Sequence, residues 1–289
     1  MQPTKHHYIP EFYLRQWIGD DGRFVRYDRP IPTKIVARRA FPSEAGWVRN
    51  LYTSPGDLNG DQWLELNIFQ VIDSRAAPAL RKMNAEIVEH LSSEERSAWT
   101  VFIRSLFHRT PENFNATMKS ATKIYKESLD AAQQRYSELR REPDAPTFEE
   151  YKASLTSAEI RRSVIRSIPS LMTNPNIGQF MADMPTRIFT MPPEANEFLL
   201  SDDPIARTNG LKTEGGHFAI PLSPRRLFLS AWKSETLDQI AAMGSSEITQ
   251  AMNKSTVEGA RCFVVSKNGG QDRFIRNRFG QSPRKPLLG

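Results

Sequence analysis

The apolar residues of this chain change period at about residue 185. Before that point they recur at helical spacing. Trp99, Phe102, Ile103, Leu106 and Phe107 fall at offsets of 3, 4, 7 and 8, which puts them on one face of an amphipathic helix. Leu64, Ile68, Val71 and Ile72, and then Leu80, Met83, Ile87 and Leu91, mark another helical stretch. Beyond residue 185 the apolar runs are short: 187–191, 197–200, 217–220, 226–230 and 261–265, bounded by Pro, Gly, Asp and Asn. Such runs read as strands, with one helical insertion from about 234 to 259. The expected class is α+β: a helical N-terminal two-thirds packed on a mainly antiparallel sheet formed largely by the C-terminal third. This segregation argues against a doubly wound parallel sheet, in which strands and helices alternate.

Local signals refine the outline. Ser92-Ser-Glu-Glu95 is a capping box that opens the helix of Trp99. Pro78 is expected to break the stretch 63–91 in two, because an interior proline removes a helical hydrogen bond. Thr110-Pro111 caps a polar helix running to about 142, the prolines of 142–146 break it, and helix resumes over 147–167. Pro10 suits the first turn of a short helix over 11–18 that ends at Gly19. Asp20-Asp21-Gly22 is turn chemistry, and a strand over 23–27 follows it. Tyr8, Phe12, Tyr13, Trp17, Phe24 and Tyr27 make the first 29 residues an integral part of the core. The whole chain, 1–289, is expected to form one domain: helix-rich over 60–184, strand-rich over 185–270, with a basic tail over 271–289.

Composition narrows the class of protein. Hydrophobic residues make up 39% and charged residues 25%, the balance of a globular chain rather than a disordered one. No apolar run approaches the roughly 20 residues of a membrane helix, and the opening lacks the apolar stretch of a signal peptide. The single cysteine, Cys262, excludes an intrachain disulfide and sits in an apolar run that suggests a buried, inert thiol. These features fit a cytoplasmic protein without a membrane partner. The net charge is +6, unevenly spread. Residues 1–50 hold nine Lys/Arg against five acids, and residues 270–289 hold five against one. Brought together, the two ends would form a basic face suited to nucleic acid or nucleotide phosphates; apart, they are a solvated surface.

Several residues could carry chemistry. His6 and His7 stand just before the expected helix, where free N–H groups favour neutral imidazole, the form that serves as a general base. The alternative is that one of them caps the helix or packs on Tyr8 and Phe12. Ser201-Asp202-Asp203-Pro204 follows a strand, a place for an acid/base carboxylate or a ligand to a divalent metal ion; the alternative is an Asx-turn. Tyr13 and Trp17, four apart, either stack on a base or pack in the core, and Arg15 lies on another face, toward phosphate or solvent. Arg104, His108 and Arg109 share the helix of Trp99; they clamp a phosphate or form a solvated face. Asn209-Gly210 and Gly215-Gly216 make the loop 204–217 a mobile cover for a site. The chain has no Walker A loop, no dinucleotide-binding glycine pattern, no His-Glu-x-x-His, no zinc-type Cys/His spacing and no Gly-x-Ser-x-Gly. Those absences disfavour the common NTP hydrolases, dinucleotide oxidoreductases, zincins and α/β-hydrolases.

Residues 6–17, His-His-Tyr-Ile-Pro-Glu-Phe-Tyr-Leu-Arg-Gln-Trp, with Ser201-Asp-Asp-Pro204 and Pro221-Leu-Ser-Pro224, resemble a bacterial family, the domain of unknown function numbered 4238. The resemblance implies that these segments belong to one scaffold and favours Asp202 over Asp203 as the inward carboxylate. It implies no activity. From the residues themselves the expected function is a nuclease-like enzyme acting on a phosphodiester or nucleotide: His6 or His7 as base, Asp202 orienting it or holding a divalent metal ion, Arg15, Arg104, Arg109 and Tyr13 binding substrate. The other reading is a non-catalytic protein that binds or senses a nucleotide or nucleic acid. An enzyme needs a histidine nitrogen and an Asp oxygen in hydrogen-bond reach, directly or through one water or metal; a binder needs only a basic concave surface.

Overall fold

The computed structural model describes residues 5–53, 62–87, 90–139, 144–208 and 210–285. The chain opens with a strand, β1 (Lys5–His7), rather than with a loop at a helix mouth. Pro10 then occupies the N-cap of α1 (Glu11–Leu14), and a 3-10 turn over Arg15–Trp17 continues it. β2 (Phe24–Ile31) and β3 (Lys34–Ala40) form a hairpin. β4 (Trp47–Arg49) returns to pair antiparallel with β1, setting His6 opposite Val48 and His7 opposite Trp47. This ribbon depends on Gly46. Its φ is +68°, and a Cβ there would meet the carbonyl oxygen of Ile9 at 2.6 Å. The same carbonyl group of Gly46 accepts from the N–H groups of Tyr8 and Ile9, so only glycine admits the close crossing.

Among the described residues, seven α-helices follow. A π-turn over Glu65–Phe69 leads into α2 (Gln70–Met83), which runs straight through Pro78. The expected break is absent because Ala76, Ala79, Leu80 and Met83 are buried. Their burial offsets the ~3 kcal/mol cost of an interior proline. The capping box opens α3 (Ser93–Arg109) as expected, with Glu95 N–H donating to Ser92 Oγ at 3.2 Å and Ser92 N–H to Glu95 Oε2 at 2.8 Å. Then come α4 (Pro111–Ala131), α5 (Gln133–Leu139), α6 (Phe148–Ser154), α7 (Ser157–Thr173) and α8 (Pro175–Asp183). Glu142 and Pro143, at the start of the expected break, lie outside the described residues.

The C-terminal part supplies β5 (Thr186–Thr190), β6 (Leu200–Ser201), β7 (Ala206–Arg207), β8 (His217–Ser223), β9 (Arg226–Ala231), α9 (Ser234–Ala241), α10 (Ser245–Gly259), β10 (Phe263–Ser266) and α11 (Asp272–Arg278). Among the described residues there are two four-stranded antiparallel sheets, ordered β3-β2-β10-β6 and β5-β9-β8-β7, beside the β1–β4 ribbon. The chain is α+β, with its helices mostly N-terminal. The sheet differs from expectation in drawing β2 and β3 from the N-terminal segment. That segment also feeds the largest core cluster, through Tyr8, Tyr13, Trp17 and Phe24, while Tyr27 joins a smaller one with Val257 and Ile275. No helix among the described residues is long and apolar enough to cross a membrane.

The two basic ends do meet. Arg276 donates to the carbonyl of Ile35 at 2.9 Å and Arg29 to that of Phe279 at 2.8 Å, which packs α11 where a loose tail was expected. Much of their charge is answered locally, however: Arg276 pairs with Asp272, Arg278 with Glu258, Arg39 with Asp21, and Arg26 and Arg38 with Asp28.

Candidate functional site

β1 carries two histidines whose side chains take different partners. His6 is fully buried and stacks on Tyr52, with centroids 5.3 Å apart and planes at 12°. Its Nδ1 accepts from the Tyr52 N–H at 3.0 Å, which assigns the proton of the neutral ring to Nε2. That Nε2 faces the Gln62 amide without reaching good hydrogen-bond geometry, and neither His6 Nε2 nor Gln62 Oε1 has a partner. Burial lowers the His6 pKa, Gln62 opposes that shift and His7 adds to it. His7 Nε2 stands 3.5 Å from Glu11 Oε1, too far for a full bond. Burial lowers its pKa also, against the pull of Glu11 and with help from Lys5. Both imidazoles are therefore neutral at pH 7.

Glu65 reaches β1 from the π-turn, at the backbone N–H of His7. It is 5% exposed, and its Oε2 has no partner. Burial pushes its carboxyl up to about 7; Arg109 pulls it down, Asp73 pushes it up, and the His7 N–H stabilises the anion. Arg109, the last residue of α3, is fully buried, with its guanidinium 4.4 Å above the Phe69 ring. Nη2 lies 2.7 Å from Asp73 Oδ1 and donates to the Phe69 carbonyl at 3.3 Å, while Nε and Nη1 have no partner. The Tyr52 hydroxyl donates to the Arg109 carbonyl at 2.7 Å, joining the guanidine and imidazole ends of the cluster. The charge balance explains the Glu65 shift. One guanidinium faces two carboxyl groups, and Asp73 holds it closely, so the second carboxyl keeps its proton to near neutrality.

Among the described residues, the orphaned buried polar atoms include His6 Nε2, His7 Nε2, Gln62 Oε1, Glu65 Oε2 and two Arg109 nitrogens. Each such atom costs about 1–3 kcal/mol, so a cluster that gathers them is poorly explained by stability alone. Its rim is open at His7 and Asp73, whose side chains each keep 20% of their surface. The π-turn that aims Glu65 is itself a feature enriched at functional sites.

The other residues singled out from sequence go elsewhere. Asp202 is 2% exposed, and its carboxylate accepts from the N–H groups of Arg261, Cys262 and Phe263 at 3.1–3.2 Å. Burial pushes its pKa up to about 6 despite these bonds. No hydrogen bond or ion pair joins it to either histidine among the described residues, so no direct His/Asp contact is made. Asp202 instead ties the turn at 201–204 to the start of β10. Nor does any group of three or more His, Cys, Asp or Glu among the described residues suit a metal ion, which leaves the expected divalent-metal role of Asp202 without companions. Tyr13 is core: it is fully buried and its hydroxyl donates to the Pro221 carbonyl. Trp17 likewise donates to the Phe198 carbonyl at 2.9 Å. Arg15 is on the surface, paired with Glu11. Arg104 is buried, and its guanidinium donates to the carbonyls of Leu171 and Asn174. Cys262 is exposed rather than buried. Its thiol is nevertheless desolvated beside Asp202, which pushes its pKa up to about 12, so it is no nucleophile. Asn209, half of the expected Asn-Gly hinge, lies outside the described residues. Sequence reasoning reached His6, His7 and Arg109 of the cluster and missed Tyr52, Gln62, Glu65 and Asp73. The available signal was Glu65 and Asp73, eight apart in an otherwise apolar helical stretch.

The family described as "Protein of unknown function (DUF4238)" matches residues 5–270, a span that takes in the ribbon, the cluster and both four-stranded sheets. The chain belongs to that family. No curated protein and no solved structure matches it.

Proposed function

We propose that this chain is a hydrolytic enzyme acting on a phosphodiester or nucleotide, with His6, His7 and Glu65 as its acid–base groups. The observation that carries the reading is a protonatable carboxyl with a pKa near 7 that meets β1 at the His7 backbone N–H, on the strand that carries two neutral, partly unpartnered imidazoles. Environments that push a carboxyl up and a histidine down make acid and base available together near neutral pH. The neutral His7 imidazole takes the proton of the attacking water as the new P–O bond forms, since both nitrogens of His6 are engaged as an acceptor from Tyr52 and a protonated Nε2. Protonated Glu65 gives its proton to the leaving oxygen as the old P–O bond breaks. The unpaired Arg109 N–H groups are oriented donors for an anionic phosphoryl oxygen.

The non-catalytic reading is favoured by depth, since Glu65 is 5% and Arg109 0% exposed. The two readings separate in one assay. Bis(p-nitrophenyl) phosphate, single-stranded DNA and RNA are offered with and without Mg²⁺ or Mn²⁺. Turnover that is lost in Glu65→Gln and in the double variant His6→Ala/His7→Ala, with folding intact by circular dichroism, supports the enzyme. Failure of the wild-type chain on all three substrates overturns the phosphodiester reading.

A further inference from the structure

Arg104 and His108 sit one turn apart on α3, away from Arg109, beside a concavity of about 680 Å³. Four cations line it: Arg104, Arg207, Arg284 and Lys285. No carboxylate lines it; the nearest that touches a lining cation is Asp203, 2.6 Å from Arg284 Nη1. Two of the cations are committed. Arg104 holds the Leu171 and Asn174 carbonyls, and Arg284 is tied to Asp203 and to Ser255. Neither Arg207 nor Lys285 forms an ion pair among the described residues, though Asp203 also acts on Arg207 at longer range. The Arg207 guanidinium stands 4.8 Å from the centroid of the Phe107 ring. That leaves its edge N–H groups for a ligand and fixes them in advance. The opposite wall is apolar and partly open: Leu171 is 38% and Ile177 50% exposed, with Met181 and Leu211 beside them.

We infer that this cleft binds a nucleoside phosphate, with the phosphate on Arg207 and Lys285 and the base against Ile177 and Leu171. A bare anion would need only the cationic wall. The cleft joins unpaired cations to exposed aliphatic surface, within the 300–1,000 Å³ range of small-molecule sites. A ligand carrying both an anionic group and a flat apolar body satisfies both walls. The inference goes beyond the acid–base cluster, because none of its residues is in that cluster.

The test is titration calorimetry of the full chain at low salt with 5′-AMP, adenosine, inorganic phosphate, a 5′-phosphorylated octathymidylate and a hexaglutamate peptide. 5′-AMP or the 5′-phosphorylated oligonucleotide should bind at least tenfold more tightly than adenosine or phosphate. The stronger of the two shows whether the site takes free nucleotides or strand ends. Arg207→Gln and Lys285→Gln should each weaken that ligand tenfold or more, and Ile177→Ser should weaken it several-fold without changing phosphate binding. Glu65→Gln should leave it unchanged, so failure here is distinct from failure of the hydrolase. Binding of phosphate as tightly as 5′-AMP, preference for the peptide, indifference to Arg207→Gln or no binding at all overturns the inference.

Discussion

Replacing Glu65 by Gln should make the protein more stable at pH 8 and slightly less stable at pH 4.5. The carboxyl is raised from its ordinary 4.5 to about 7 in the folded chain. Each pH unit of such a difference is worth about 1.4 kcal/mol, so ionised Glu65 costs about 3 kcal/mol above pH 7. The sign follows from proton counting. Between pH 4.5 and 7 the folded state binds more protons at Glu65 than the unfolded state does. Its contribution to stability is therefore fully present below the unfolded value and lost as pH rises through 7. Glutamine cannot ionise and escapes that loss. Its amide needs an acceptor where Oε2 has no partner, which returns about 1 kcal/mol. The net gain at pH 8 is then about 2 kcal/mol. Urea melts of both proteins at pH 4.5 and pH 8 measure it. A Gln variant less stable than wild type at pH 8, or a difference that does not change with pH, would show that Arg109 fully compensates the carboxylate. The buried acid at the centre of the proposed chemistry would then not exist. A site kept for function at a cost in stability predicts the opposite pairing, activity lost and stability gained.

Arg109→Met should destabilise by about 3–5 kcal/mol, because it strands Asp73 and Glu65 in a desolvated site; adding Asp73→Asn and Glu65→Gln should recover much of that loss in the same urea melts. Asp202→Ala removes the acceptor of three backbone N–H groups at 261–263 and should cost about 3 kcal/mol. A silent melting curve for that variant would return Asp202 to the list of catalytic candidates. His108 is lowered to about 4 by burial and Arg104, so its contribution to stability is fully present above 6.5 and falls as pH drops to 4. His108→Gln should flatten that acid limb by about 3 kcal/mol, read from melting temperatures between pH 7 and pH 4.

The helices were legible where a local rule had no tertiary rival. Ser92 to Glu95 caps α3 as written, since the partners are three residues apart. Pro78 misled because its penalty is local while the burial of Ala76, Ala79 and Leu80 is not visible in the sequence near it. β1 and β4 were invisible for a related reason. Each is three residues long, and they lie more than forty positions apart, held by a glycine whose constraint comes from Ile9. β3, which reads Lys-Ile-Val-Ala-Arg-Arg-Ala, is half-exposed, so its charged face masked the strand signal. α11 was read as tail because its seven residues carry three arginines, and its docking depends on Ile275 and Phe279 reaching the core cluster around Val257.

For the site, residue type was legible and partner was not. A histidine pair and a carboxylate are expected together; Asp202 is taken up by backbone N–H groups elsewhere, and the carboxyl that reaches β1, at the His7 N–H, is Glu65. At a strand-end turn, the cheapest satisfaction for a buried carboxylate is the row of N–H groups on the next strand, and Asp202 takes it. Glu65 has no such row within reach. It sits in a π-turn under a helix whose guanidinium is already held by Asp73, so its charge goes uncompensated and its proton stays. A carboxylate satisfied by the fold is thereby removed from chemistry, and one left unsatisfied by the fold is available for it. The same division holds among the arginines: Arg104 is spent on carbonyls, whereas Arg207 is only stacked. Surveying which charged groups the fold leaves unanswered therefore locates both the acid–base cluster and the basic cleft. They lie on different faces of α3, whose adjacent residues His108 and Arg109 belong one to each.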